Sequence, residues 1–133
     1  MRTLVSFALV TFATLLVSGF SHAAEAPKPR KIQVEEFDKL RTKPDHVVLD
    51  VRTPEEFKQG HVAGAKNIDV NATDFAKQIA ALDKSKTYLV HCARGGRSAI
   101  ATQEMKNAGF SHLLDFTGGF NAWQKAGKPV TKD

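Results

Sequence analysis

Tyr88-Leu89-Val90-His91-Cys92-Ala93-Arg94-Gly95-Gly96-Arg97-Ser98 passes from a short apolar run, through a loop rich in glycine and arginine, to residues with helical spacing. Residues 88–91 read as a buried strand. A helix begins near Arg97 or Ser98, because Ala101, Met105 and Ala108 then recur on one helical face. Cys92 therefore sits where the carboxyl end of a parallel strand meets a helix N-terminus, the edge at which open α/β sheets bind ligands. A helix start presents unpaired N–H groups and a partial positive charge. Gly95 and Gly96 permit the tight turns that aim several N–H groups at one point, and Arg94 and Arg97 add full charges. All of these favour an anion at the centre of the loop. For a cysteine placed there, the anion is its own thiolate, the reactive form of the side chain.

Working outward from this loop, short apolar runs alternate with amphipathic stretches. Strands are expected near residues 31–33 and at 47–51, 65–68, 88–91 and 112–116, and helices at 34–40, 54–59, 73–82, 98–107 and 120–125. The runs at 47–51 and 88–91 are apolar without alternation, as in strands covered on both faces. Phe75, Ile79 and Leu82 share a helical face, Pro54 suits a first helical position, and Gly60 and Gly109 suit helix exits. The pattern predicts an α/β domain built on an open, mainly parallel five-stranded sheet with helices on both faces.

The first two dozen residues differ from the rest. Met1-Arg2-Thr3 is followed by an apolar stretch over 4–17 and then by Ser18-Gly19-Phe20-Ser21-His22-Ala23-Ala24. This is the order of a signal peptide, with Ser21 and Ala23 supplying the small residues before a cut. The apolar stretch falls short of the ~20 residues that span a bilayer. The expected organisation is a signal peptide at 1–23, a flexible lead-in at 24–31 carrying Pro27 and Pro29, and one domain at 32–133. It predicts export to the periplasm, with secretion as the lesser alternative, and no stable membrane insertion after cleavage.

The chain has 19 basic and 14 acidic residues, a net charge of +5. Loss of Arg2 with the signal leaves 18 against 14, or +4. The lysines are dispersed among acids with no basic run interleaved with aromatics, which argues against nucleic acid and mildly favours small anions. Cys92 is the only cysteine, so no intramolecular disulfide can form. In an oxidising compartment such a thiol is either buried and inert or present for its reactivity. Two glycines, two arginines and a following helix favour the second reading. No H-x-x-x-H or C-x-x-C spacing occurs, so neither a metal nor another cofactor is predicted.

The segment from Cys92 to Ser98 resembles the active-site loop of rhodanese-like domains, C-x-x-G-x-R-[ST]. Leu49-Asp50-Val51-Arg52-Thr53-Pro54-Glu55-Glu56-Phe57-Lys58-Gln59-Gly60-His61-Val62-Ala63-Gly64-Ala65-Lys66-Asn67-Ile68 is similar to the N-terminal signature of that family, D-V-R-x-x-x-E-[FY]-x-x-G-H-I-x-G-A-x-N-I. Gly118-Gly119-Phe120-Asn121-Ala122-Trp123-Gln124-Lys125-Ala126-Gly127-Lys128-Pro129-Val130 resembles its C-terminal one, G-G-x-x-x-W-x-x-x-G-x-P-V. Val62 replaces the usual Ile, Ala63 a common Pro, and Arg94 occupies a variable position. The resemblance implies a thiosulfate sulfurtransferase in which Cys92 takes a sulfane sulfur as a persulfide and passes it to a thiol or cyanide. Cysteine phosphatases and some arsenate reductases place five residues between Cys and Arg; here Ala93 to Gly96 make four, a smaller ring above the sulfur.

Cys92 is thus the candidate catalytic residue, with Ala93, Arg94, Gly95, Gly96, Arg97 and Ser98 forming the substrate-binding loop. Arg97, at the helix entry, is expected to shape the loop as well as attract anions, and Arg94 to act on the incoming substrate. Asp50 and Arg52 are supporting residues, as a structural salt bridge or as orienters of the loop. His61 and Asn67 read as loop-fixing hydrogen bonders, and His91 points to the face opposite Cys92. The partners expected are a small anionic sulfur donor such as thiosulfate and a thiol or cyanide acceptor, acting on a monomer. A non-catalytic sulfur-carrier, sensing or interaction module on the same fold is the competing function.

Overall fold

The computed structural model describes residues 24–133; the expected signal peptide and its cleavage point lie outside the described residues. Along the chain run β1 (Arg30–Ile32), α1 (Val34–Leu40), β2 (His46–Asp50), α2 (Pro54–Gln59), β3 (Lys66–Asn67), α3 (Phe75–Ala80), β4 (Thr87–His91), α4 (Gly96–Asn107), β5 (Leu113–Phe116) and α5 (Gly119–Lys125). The strands form one sheet in the order β1-β5-β4-β2-β3, and every strand pair is parallel. The sequence pattern called for a mainly parallel sheet; the pairing is parallel throughout.

Successive strand residues point to opposite faces, and in the central strands both faces are apolar. Leu49, Tyr88, Val90 and Leu113 face one core with Phe75 and Ile79 of α3 and Ala101 and Met105 of α4. Val48, Leu89, Leu114 and Phe116 face the other with Phe37 of α1 and Phe120 and Trp123 of α5. This two-sided burial is why residues 47–51 and 88–91 read as uninterrupted apolar runs. Fully burying a Val or Leu stabilises by about 1.5–3 kcal/mol relative to leaving it exposed. Leu89, Val90 and Leu49 at the middle of the sheet are all inaccessible. On the second face Phe37 stacks on Phe116 at 4.4 Å and meets the edge of Trp123 at 5.4 Å, which fastens α1 to α5.

Boundaries moved where hydrogen bonding outvoted periodicity. The first strand, expected near 31–33, runs one residue earlier: Arg30, assigned to the lead-in, pairs with Leu114 as Lys31 does with Asp115, while Gln33 leaves the strand to precede α1. The first helical turn after the cysteine loop begins at Gly96, two residues before the expected start, because Gly95 takes a left-handed conformation that admits the turn. Helix α3 is shorter than expected: Asp74 gives it no side-chain cap, and residues 81 and 82 close with tighter turns. Helix α2 matches its expected span, held by Pro54 in its first turn and a reciprocal cap between Thr53 and Glu56.

The topology places the site. Strand β4 leads into α4 on one face, and β2 leads into α2, which lies across a hollow from Phe120 of α5 on the other. The connections therefore part between β2 and β4, and a crevice opens outside their carboxyl ends.

Candidate active site

Cys92 follows β4 directly, and the pairing continues one step past the strand through the Val51 N–H donating to the His91 carbonyl at 2.9 Å. Beyond the sulfur the backbone is stapled from behind. The Phe120 N–H donates to the Cys92 carbonyl at 2.8 Å and the Asn121 N–H to the Ala93 carbonyl at 3.1 Å. Gly119 makes this approach possible. Its φ is +61°, and a Cβ there would stand 2.6 Å from both loop carbonyls. Gly95, at φ +99°, lies equally tight, since a Cβ would come within 2.4 Å of the Thr117 carbonyl.

With two loop carbonyls turned toward α5, the loop N–H groups are left facing inward. The Gly95 N–H donates to Cys92 Sγ at 3.1 Å. Burial alone pushes the Cys92 thiol up. The N–H groups of Ser98, Gly95 and Arg94 and the Ser98 hydroxyl outweigh it, holding the thiol below its ordinary value. The expected concentration of N–H groups on the sulfur is thus present, with Gly96 and Arg97 between the Gly95 and Ser98 donors. Cys92 is only 1% exposed, yet it floors an open hollow of about 360 Å³ walled by Glu56, Ala93, Arg94, Gly96 and Arg97. That combination suits a thiolate reached from one direction.

The two arginines occupy different surroundings. The Arg97 guanidinium makes a bidentate pair with Glu56, Nη1 to Oε2 at 2.7 Å and Nη2 to Oε1 at 2.9 Å. Those two bonds draw the Glu56 carboxyl down to about 2, against burial and with help from the Thr53 N–H. Arg97 in turn is held further above its ordinary range, chiefly by Glu56. Its charge is therefore largely answered within the protein, and it ties the start of α4 to the start of α2. Arg94 is exposed at the rim and makes no ion pair among the described residues.

Asp50 and Arg52 pair with each other at the end of β2. Arg52 Nη2 donates to Asp50 Oδ2 at 2.7 Å and to the Gly60 carbonyl at 2.8 Å, and the guanidinium lies 4.0 Å above the Phe120 ring. Both are almost completely buried, and neither is hydrogen-bonded to the Cys92 sulfur. Arg52 borders the neighbouring hollow of about 280 Å³, which meets the cysteine hollow at Glu56 and Ala93. Asn67 fixes this turn by donating to the Asp50 and Arg52 carbonyls at 2.9 Å each. His61 Nδ1 bonds the Phe57 carbonyl at 2.9 Å, and its ring stacks on Phe57. His91 faces the other core among Phe37, Phe116 and Phe120, and burial pushes its pKa down.

Sequence reasoning did not single out Glu56, Gly119 or Asp115. For Glu56 a signal existed in Thr53-Pro54-Glu55-Glu56, whose third residue after Thr53 completes a cap, but nothing local links it to Arg97, 41 positions on. Gly119 and Asp115 depend on approaches between elements that spacing does not encode.

The rhodanese-like domain model matches residues 33–126. Thiosulfate sulfurtransferase 16, chloroplastic, of Arabidopsis thaliana is 42% identical over 95 residues, covering 64% of this chain and 79% of that protein. Thiosulfate sulfurtransferase GlpE of Pseudomonas putida is 34% identical over 96 residues, covering 71% of this chain and 84% of that one. Among solved structures, a rhodanese-related protein from Thermoplasma volcanium superposes with a TM-score of 0.70 at 31% identity, covering 78% of this chain and 99% of that one.

Proposed function

The chain belongs to the rhodanese-like domain family, and from that membership we propose that it is a sulfurtransferase working through a Cys92 persulfide, with thiosulfate as donor and a thiol or cyanide as acceptor. The observation that carries this is the inward set of N–H groups around Cys92 Sγ, which outweighs burial and favours the thiolate. The relatives named thiosulfate sulfurtransferases support the choice of donor.

In the first half-reaction the Cys92 thiolate attacks the outer sulfur of thiosulfate. A Cys92 S–S bond forms, the bond between the outer sulfur and the sulfonate sulfur breaks, and its electron pair leaves with sulfite. The product persulfide is also an anion, held by the same N–H groups that held the thiolate. In the second half-reaction an acceptor thiolate or cyanide attacks the outer sulfur, and Cys92 departs as thiolate. Arg94 at the rim draws the dianionic donor inward, while Arg97 with Glu56 keeps the loop in shape. Asp50 and Arg52 brace the adjoining turn.

The rest of the proposal is an exported monomer: a signal peptide at residues 1–23 delivering a domain at 32–133 to the periplasm. It rests on the order of charged, apolar and small residues at the start of the sequence. N-terminal sequencing of protein isolated from the producing cell should begin at Ala24; finding Met1 there would refute export by cleavage.

Intact mass measurement before and after thiosulfate tests the chemistry. One added sulfur on Cys92, removed again by cyanide with release of thiocyanate, is the expected result. Cys92→Ser should gain none while keeping the parent's circular dichroism, because an alcohol is a poor nucleophile toward sulfur. Sulfur that loads but passes to neither cyanide nor a small thiol would instead identify a carrier.

A further inference from the structure

Arg52 meets its carboxylate partner along one edge only. Its Nε and Nη2 donate to Asp50, and Nη2 also to the Gly60 carbonyl, while Nη1 makes no hydrogen bond among the described residues. The residue is 4% exposed, so the N–H donors on Nη1 belong to a buried cation and lack a protein acceptor. They are not sealed in. Among the described residues, the one side-chain nitrogen or oxygen both unpartnered and shut off from solvent is His91 Nε2. The Nη1 donors open on the hollow of about 280 Å³ beside the cysteine hollow, in whose wall Arg52 and the Phe120 ring under its guanidinium both stand. Donors left unmade in such a place are costly, and a ligand oxygen there would complete them.

The rest of the wall defines the ligand. Gln59 ends α2, and Asn121 and Gln124 lie three residues apart on one face of α5. All three are exposed, and their carboxamides have no hydrogen-bond partner among the described residues. Each carboxamide offers a donor and an acceptor and carries no charge. The charges at the border are answered in pairs, Arg52 by Asp50 and Glu56 by Arg97. A hollow that is rich in hydrogen-bonding groups and has no free charge matches an amide, whose oxygen takes the Nη1 hydrogens and whose N–H finds a carboxamide oxygen. A carboxylate would meet a cation that Asp50 already neutralises.

We propose that this hollow seats the sulfur acceptor, and that it selects a thiol carrying an amide a short chain away from its sulfur, with the amide oxygen on Arg52 Nη1. The inference rests on the sulfurtransferase reading above and deepens it. The hollow meets that of Cys92 at Glu56 and Ala93, so a ligand with its amide end here has its thiol end beside the persulfide. The acceptor thiolate forms a bond to the outer sulfur as the bond from that sulfur to Cys92 Sγ breaks. The electron pair stays with Cys92, and the acceptor leaves as a persulfide. Arg94 borders the cysteine hollow and not this one, so the anionic donor and the amide acceptor reach one sulfur from different sides.

The test follows discharge of the Cys92 persulfide, loaded with thiosulfate and verified by intact mass, to mercaptopropionamide, mercaptopropionate or cyanide. Gln59→Ala and Gln124→Ala should each lower kcat/KM for the amide about 3- to 10-fold relative to kcat/KM for cyanide, the size of one hydrogen bond, and through KM more than kcat. Arg52→Lys keeps a cation for Asp50 but loses Nη1, and should lower the same ratio at least as far. A merely structural Arg52 would instead depress discharge to all three acceptors together and shift the pH profile of iodoacetamide alkylation at Cys92. Where Arg52→Lys does not fold, the two glutamine variants decide. Equal losses for amide and cyanide, or no loss in either glutamine variant, would overturn the acceptor seat, and losses confined to mercaptopropionate would overturn the choice of an amide. Titration with propionamide, which has no sulfur, separates this proposal from the reading beneath it. Shifts in the side-chain amide NMR signals of Gln59, Asn121 and Gln124 in a protein that takes no sulfur from thiosulfate would leave the hollow standing and remove the sulfurtransferase reading. Unmoved signals in a protein that loads sulfur would do the reverse.

Discussion

Replacing Glu56 with Gln removes one charge from the clamp between α2 and the cysteine loop while keeping an oxygen for the Thr53 N–H. The Glu56 carboxyl falls from an ordinary 4.5 to about 2 in the folded chain. At 1.36 kcal/mol per unit the full shift corresponds to about 3.4 kcal/mol. The Glu56 side chain is 35% exposed, however, and solvent screening at such sites reduces an ion pair to about 1 kcal/mol. For a domain of this size that is about 4 °C in Tm. The sign follows from a depressed folded-state value: the stabilisation is present above pH 4.5, shrinks as pH falls, and is gone near pH 2. Thermal melts of parent and Glu56→Gln from pH 7 to 2.5 should show a gap of about 4 °C that closes on acidification. A gap that persists unchanged at pH 2.5, or no gap at pH 7, would refute the assignment of the shift to the Arg97 pair.

Other outcomes follow from the loop geometry. Gly119→Ala forces a left-handed residue to carry a Cβ against the Cys92 and Ala93 carbonyls; kcat should fall roughly 10- to 100-fold, since loop displacements near 1 Å cost about that much. A kcat within twofold of the parent would show that the loop is not held from behind by α5. Arg94→Ala should raise KM for thiosulfate with little change in kcat and leave an uncharged sulfur donor unaffected. Arg97→Ala should depress kcat for both donors, and the same kinetic pattern in both variants would contradict their separate surroundings. Leu89→Ala in the middle of the sheet should cost about 2–5 kcal/mol in chemical denaturation without moving the alkylation profile of Cys92.

The parts of this molecule legible in its sequence were those encoded locally. Leu89 and Val90 belong to opposite cores, so an unbroken apolar run announced a strand covered on both sides. Pro54 at its start and Gly60 at its exit marked α2 to the residue. Cys92 and its two glycines carried the anion-holding loop in seven consecutive positions. What escaped was relational. The helix entry separates Arg97 from Arg94, but nothing local names its partner, Glu56 on another helix, while Arg94 meets solvent. Asp115 looks like an ordinary polar interruption of a strand, and only the packing of α4 against β5 puts it beside Ser98. Arg30 and Lys31 resemble the charged residues before them, and their place in the sheet comes from β5, more than 80 positions away.

The staple formed by the Phe120 and Asn121 N–H groups has a consequence for how such a protein can change over generations. The fastening is made by backbone atoms, and the residue that must remain small for it, Gly119, stands away from the hollow above Cys92. The reactive sulfur therefore inherits its surroundings from parts that do not meet the substrate. Side chains on the open side, among them Arg94 and Gln124, can drift without disturbing the thiolate, so one scaffold can be handed to new donors and acceptors by changes at its rim alone.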